Sequence, residues 1–454
     1  MKRVISLALI IFFCFTFISC GSDSAAPDNI GTEKTVTVKT SAMSVPNSVY
    51  ELGFKYKDGY FTESATVFNK DLALLSLGSS VATQSKSDVI GFFDDAEFKN
   101  VSAYGYNSPT SANSVAYVFG NKKIADFTLI AVAVRGFGYG REWAGNVVLG
   151  DKGDHYGFSV AADTVYSSLK NYLFEHVGSG KVKIWLCGYS RAGAIANVLA
   201  QKILTEKETG FERKNAFVYT FEAPQCLSVN AAQKFENVYN IVNSYDLVPN
   251  VMPETYGLTR CGIDIDISDP NVDKTVHDFD ENVVFTKFTA KPREESDDGT
   301  DLSFADPKEF IAYLRSVIAK PQTNEDFNDV DVSTRKNYAD NIQPTLSYLI
   351  DLFFNLKPQT KRAITDGISQ TSNAMRLFVK NGLFSFLDPI IAADGIAYDK
   401  TELAYHTELA RKFISKDNYA LVTIALSYSD NVKYTIYAHY TETTYALLSA
   451  YSFG

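Results

Sequence analysis

Cysteine, clustered positive charge and long apolar runs are what this sequence has least of, and each shortage removes a class of protein. Only five cysteines occur in 454 residues. Cys14 lies inside an apolar N-terminal run and Cys20 directly after it, leaving Cys187, Cys226 and Cys261. Three thiols close at most one disulfide, so the chain is not a disulfide scaffold. No Cys or His cluster has zinc-ligand spacing. Asp264-x-Asp266-x-Ser268-Asp269 lacks the turn glycine of a calcium loop and has Thr275 where the bidentate glutamate belongs. No metal and no cofactor is therefore expected. Lys and Arg number 43 against 53 Asp and Glu, a net charge of -10, and the cations are scattered. That excludes the basic footprint of a nucleic-acid-binding protein. No internal repeat or low-complexity tract is present.

The one sustained apolar run, Val4 to Ile18, follows Lys2 and Arg3 and is too short to span a bilayer as a helix. Its length and flanks are those of a signal-peptide core. Phe17-Ile18-Ser19-Cys20 closes it, and the polar stretch from Gly21 to Pro27 reads as a flexible tether. This end resembles the lipobox of bacterial lipoproteins, which implies lipidation of Cys20 and a protein held outside the cytoplasm on the bacterial cell membrane or outer membrane. The organisation expected is a signal peptide over 1–19, a tether over 20–45 with a short strand at Thr35 to Lys39, a core over 46–290, a helical insertion or lid over 291–415, and a return to the core over 416–454.

A hydrophobic fraction of 46% is enough for one large core or two ordinary ones. Thr128 to Val134 is almost continuous β-branched and apolar sequence, the mark of a strand buried on both faces of a parallel sheet. Thr62 to Leu77 and Gly157 to Phe174 repeat apolar residues at helical spacing. Val182, Ile184 and Leu186 lead into another strand, and Ala216 to Phe221 and Val238 to Val242 are two more. Strand alternating with helix argues for an α/β domain with a mostly parallel sheet. Past the acidic stretch 293–301 the texture is helical, at Pro307 to Ile318, Thr334 to Leu356, Lys361 to Val379 and Lys400 to Ile414. Apolar residues there, Leu349, Leu352, Phe353, Leu383, Phe384 and Phe386, suit either a cover over an apolar cleft or the insertion's own packing. Strand signal resumes at Ala420 to Leu426 and Val432 to Tyr437.

Gly188-Tyr189-Ser190-Arg191-Ala192-Gly193 sits where a strand passes at once into a helical run. A nucleophile elbow needs small residues there, because a strained turn brings the flanking backbones together while the serine Oγ points out above the sheet. A serine nucleophile needs a base, a carboxylate to hold the base's tautomer, and donors for the oxyanion. Asp246 follows an apolar strand and precedes Leu247-Val248-Pro249, the place for the carboxylate. The alternative is a solvated turn aspartate.

Four blocks in order resemble the class 3 (fungal lipase-like) family. The elbow, 188–196, is similar to its Gly-His-Ser-Leu-Gly-Gly-Ala-Leu-Ala, especially in bacterial members with Arg after the serine. Val134-Arg135-Gly136, with Trp143 and Asn146 after it, is similar to Phe-Arg-Gly-Thr with its later Trp and Asn; Tyr219 to Pro224 resembles Tyr-Thr-Phe-Gly-Ser-Pro; and Val242 to Pro249 is similar to Val-Asn-x-x-Asp-x-Val-Pro. The resemblance spans roughly residues 110 to 265 and implies an α/β-hydrolase fold, a helical insertion before the last strands, and a serine hydrolase of carboxylic esters, with acyl lipids as substrate class. It implies Ser190 as nucleophile, Asp246 as acid, and the N–H groups of Phe137 and Arg191 as oxyanion donors. Ala192 and Phe137 depart from the pattern. The missing hydroxyl at 137 weakens catalysis by up to about 10²-fold on the scale of one lost oxyanion donor.

Of five histidines, His155 and His176 precede the serine and break the chain order. His439 follows the last strand signal and opens the final helical run, and Ala438-His439-Tyr440 resembles the close of bacterial members. His277 and His406 are the alternatives. The competing functional expectation is a surface lipoprotein that keeps a hydrolase fold as a binding module without turnover.

Overall fold

In the computed structural model, residues 33–40, 50–107, 111–136, 140–177, 180–250, 256–268, 338–361, 382–413 and 438–452 are described. Eleven strands occur among them. β1 (Lys34–Thr40) and β2 (Tyr50–Tyr56) form an antiparallel hairpin. β3 (Lys99–Tyr104), β4 (Tyr117–Ile124), β5 (Phe127–Val134), β6 (Lys181–Tyr189), β7 (Ala216–Phe221), β9 (Val238–Val242) and β11 (Ile263–Asp266) make one sheet, in the order β11-β9-β7-β6-β5-β4-β3. The strands from β5 to β11 run parallel, and β4 and β3 add an antiparallel edge. β8 (Leu227–Ser228) and β10 (Leu258–Thr259) pair separately.

The period of two along each strand divides the core in two. On one face Trp185, Cys187, Tyr189, Phe217, Tyr219, Phe221, Tyr239 and Ile241 meet helices α1 (Lys70–Ala82) and α2 (Lys86–Asp95) and the β1–β2 hairpin. Trp185 is fully buried there, with its Nε1–H donating to Ser76 Oγ at 2.7 Å. On the other face Ile184, Leu186, Val218 and Val238 meet α3 (Tyr156–His176) and α4 (Arg191–Thr205). Helices on both faces of a mostly parallel sheet, with a strand-turn-helix at its centre, constitute the α/β-hydrolase fold.

The tether expected over 20–45 is too long. Val36 and Val38 are buried in the main core, because alternate residues of Lys34–Thr40 turn inward and pair across to Phe54 and Leu52. Folded structure therefore begins by residue 34, not 46. The helix expected near Thr62–Leu77 lies further on, at Lys70–Ala82, where Asn69 Oδ1 caps the first turn by accepting from the Leu72 N–H at 3.0 Å. The signal segment, His277, and the strands expected at 420–426 and 432–437 lie outside the described residues.

Within the described residues the insertion is helical, as its spacing predicts: α5 (Gln343–Asn355), α6 (Leu383–Asp394) and α7 (Lys400–Phe413). Leu352, Phe353, Phe384, Leu387 and Ile390 gather around buried Leu356, Ile391 and Leu403, a small core of its own. α5 also packs on the 3-10 segment Gly140–Val147, with Arg141 Nε 3.3 Å from Asp351 Oδ1. The last helix, α8 (Thr441–Ala450), buries Leu447 and Leu448 in the main core beside α1, and Lys70 Nζ donates to the carbonyls of Ser449 and Tyr451. Among the described residues no helix is long and apolar enough to cross a membrane.

Candidate active site

Ser190 stands between β6 and α4 with φ 55° and ψ -126°, a conformation L-residues adopt only when their surroundings force it, at a cost on the order of 1–3 kcal/mol. The surroundings here are backbone. A Cβ on Gly188 would come within 2.4 Å of Ala192 O, and one on Gly136 within 2.1 Å of Tyr189 O. The Ser190 N–H donates to Phe221 O at 2.8 Å, and Ser190 O accepts from the Ala194 N–H at 3.2 Å. Sheet and helix are thus both continuous through the turn, and the serine side chain is left between them. The small residues at 136, 188 and 193 are sterically required, whereas Ala192 fits the position where the family pattern has glycine.

Asp246 is fully buried in the turn after β9. Its N–H donates to Asn243 O at 2.9 Å, and its Oδ1 accepts from the Val248 N–H at 2.8 Å. Arg260 Nη1 donates to the carbonyls of Ala223 and Pro249, both at 2.9 Å, tying this turn to the one after β7. The reading of Asp246 as a solvated aspartate therefore fails.

His439 comes from far along the chain, two residues before α8. Its Nδ1 lies 2.6 Å from Asp246 Oδ2 and its Nε2 lies 2.9 Å from Ser190 Oγ. A carboxylate has no proton to give, so Nδ1–H donates to Asp246 and Nε2 accepts from the serine hydroxyl. Burial lowers the imidazole to about 4, against the upward pull of the Glu222 carboxyl, so the ring is neutral near pH 7 and ready to take a proton. Tyr189 O–H donates to His439 O at 3.0 Å and lies 2.8 Å from Thr444 Oγ1.

The structure brings Ser190, His439 and Asp246 together. It places the other described histidines elsewhere: His406 faces Thr345 and stacks on Tyr348 in the insertion, His176 ends α3, and His155 is buried with Nε2 3.1 Å from Asn146 O. Phe137 lies outside the described residues. Arg191, the first residue of α4, is buried, and its Nη2 donates to Ser114 O at 3.3 Å. Beside it Arg135 Nη2 donates to the buried Glu142 Oε1 at 2.8 Å. Burial is the main influence on the Glu142 carboxyl and pushes it up, against both guanidiniums. This cluster joins the end of β5, the 140–147 segment and the start of α4.

Two residues of the site escaped notice in the sequence. Thr444 lies on the buried side of α8, inside a run of four polar residues. Glu222 stands where the family pattern has glycine, and that mismatch was its only signal.

Among the described residues no group of His, Cys, Asp and Glu has the arrangement of a metal site. Rhizomucor miehei triacylglyceride lipase is 19% identical over 44% of this chain and 80% of that one, with a TM-score of 0.34. The lipase of Rhizopus microsporus var. chinensis is 16% identical over 54% of this chain and 82% of its own, with a TM-score of 0.32. Lipase II of Rhizopus niveus is 19% identical over 46% and 79%, with a TM-score of 0.30. Overlaps that small carry no argument, and the fold rests on the strand order. No curated protein matches the chain. The elbow, the acid turn and the segment Gly140–Val147 all fall within residues 139–256, a little over a quarter of the chain, which match the model of the family described as Lipase (class 3).

Proposed function

We propose that the protein is a serine hydrolase of carboxylic esters, acting on acyl lipids from a lipid anchor at Cys20 outside the cytoplasm. The observation that carries the reading is the continuous path from Asp246 Oδ2 through both nitrogens of His439 to Ser190 Oγ, on a turn strained as a nucleophile elbow is. Ser190 Oγ attacks the ester carbonyl carbon while its proton passes to His439 Nε2. The tetrahedral oxyanion is held by the N–H groups of Phe137 and Arg191. It collapses by expelling the alcohol, which takes the proton from His439. Water then attacks the acyl-serine, with His439 as base again, and the carboxylic acid leaves.

Acyl chains as the substrate rest on the family match over 139–256 and on the apolar insertion lying against the 140–147 segment. The test is labelling of wild type and Ser190→Ala with a fluorophosphonate, together with hydrolysis of p-nitrophenyl esters of short and long chains. Wild type is expected to label and turn over, and the variant to do neither, with kcat down by about 10⁶-fold on the scale of a lost triad nucleophile. A folded wild type that neither labels nor turns over leaves the binding-module reading standing instead. The anchor is checked separately by palmitate incorporation, expected in wild type and lost in Cys20→Ser.

A further inference from the structure

Beneath the triad lies a second carboxyl that the mechanism does not use. Glu222, at the end of β7, is fully buried and has φ 46°, a left-handed conformation that favours glycine. A long acidic side chain in that conformation, with no access to water, is costly unless its carboxyl has a task. Its Oε2 accepts from the Asn243 N–H at 2.9 Å and its Oε1 from Thr444 Oγ1 at 3.2 Å, so it joins the acid turn to α8. The same carboxyl is hydrogen-bonded to that of Asp246. Two carboxylates cannot face each other in a buried site, so one of them holds a proton. The distribution of donors says which. Asp246 receives two N–H bonds, from Val248 and from His439, which favour the charged form, whereas Glu222 receives one, from Asn243, and its other partner, Thr444, is a hydroxyl that can accept as well as donate.

We infer that Glu222 is a positioning residue that stays protonated in the folded protein and donates its O–H to Asp246, holding that carboxylate and its charge in place under His439. The inference rests on the hydrolase reading for its catalytic consequence. Of the groups around Glu222, the Asn243 N–H and the His439 ring work to lower it, and burial and the charge of Asp246 outweigh them. Asp246 brings negative charge from the turn after β9, while Tyr189 from β6 and Thr444 from α8 are neutral. His439 is also neutral. Burial and then the charge of Asp246 push Glu222 well above the usual carboxylate range; burial pushes Asp246 up as well, against the Val248 N–H and then the hydrogen bond with Glu222, which both work to lower it.

The test compares Glu222→Gln, which keeps a neutral donor, with Glu222→Leu, which keeps bulk alone. On ester hydrolysis, Gln is expected to recover kcat to within about 5-fold of wild type, and Leu to lose about 50-fold with KM unchanged, as for loss of a buried hydrogen bond to a charged group. The second readout is urea unfolding of wild type and Glu222→Gln across pH, which needs neither activity nor a foldable Leu variant. The unfolded carboxyl ionises near pH 4.3, whereas the folded one keeps its proton. Wild type is therefore less favoured as pH rises, and its unfolding constant relative to the Gln variant should grow about 10-fold per pH unit above about 5. A ratio flat with pH, or a Gln variant as impaired as Leu, overturns the inference. If wild type hydrolyses no ester, the hydrolase reading fails, and the pH slope alone still decides whether Glu222 holds the proton.

Discussion

The nucleophile and its base are held in opposite ways. Ser190 is fixed by backbone pressed on backbone, from its own turn and from the ends of β5 and β7, and its requirements are steric: no Cβ at 136 or 188. His439 lies 249 residues away and is fixed by side chains of other elements, namely Tyr189 on its carbonyl and Asp246 on its ring, with Thr444 and Glu222 behind them. A steric site tolerates chemistry but not volume. A polar site tolerates small displacements but not the loss of a donor, because each partner left behind is buried and unsatisfied.

The largest effect should come from volume on the serine side. Gly188→Val puts carbon where Ala192 O already sits, 2.4 Å from the added Cβ, and should remove fluorophosphonate labelling and hydrolysis by more than about 100-fold, as for a misplaced reacting group. Next is protonation on the histidine side. Because His439 titrates at about 4, kcat/KM should be flat from pH 8 to 5 and fall about 10-fold per unit below 4. The same depressed value acts on stability. Below about pH 6.5 the unfolded chain takes up a proton that the folded chain refuses until about 4, so stability declines as pH falls through that window, and His439→Gln should remove that part of the decline in urea melts. An acid limb near 6.5 would place the imidazole in water and break the contrast. Tyr189→Phe removes the hydroxyl that donates to His439 O and meets Thr444 Oγ1, at about 1 kcal/mol, and should lower kcat about 5-fold with KM unchanged and fluorophosphonate labelling slowed but not lost. Equal loss from Tyr189→Phe and Gly188→Val would show the two sides to be held alike.

Much of the site was legible because it is local. The elbow and the acid turn each occupy a few consecutive residues whose spacing carries the geometry, and they fall in order along alternating strands and helices. The strand expected at Thr35 to Lys39 is there, as Lys34–Thr40, but its place in the core was not legible: it is short, polar at every other position, and buried only because β2 and the core complete it. The choice among histidines rested on resemblance and chain order, since no periodicity near His439 tells what lies across from it.

By itself the sequence determined the parallel α/β sheet, the strand-turn-helix with Ser190 at its apex, and the turn that holds Asp246, because periodicity and turn chemistry act over a few residues. Only the tertiary structure decided that His439, and neither His406 nor His155, reaches the serine. Only it decided that Glu222 meets Asp246. The first outcome depends on α8 docking beside α1, a contact between segments about 370 residues apart that nothing local encodes, and the second on β7 and β9 lying side by side in the sheet.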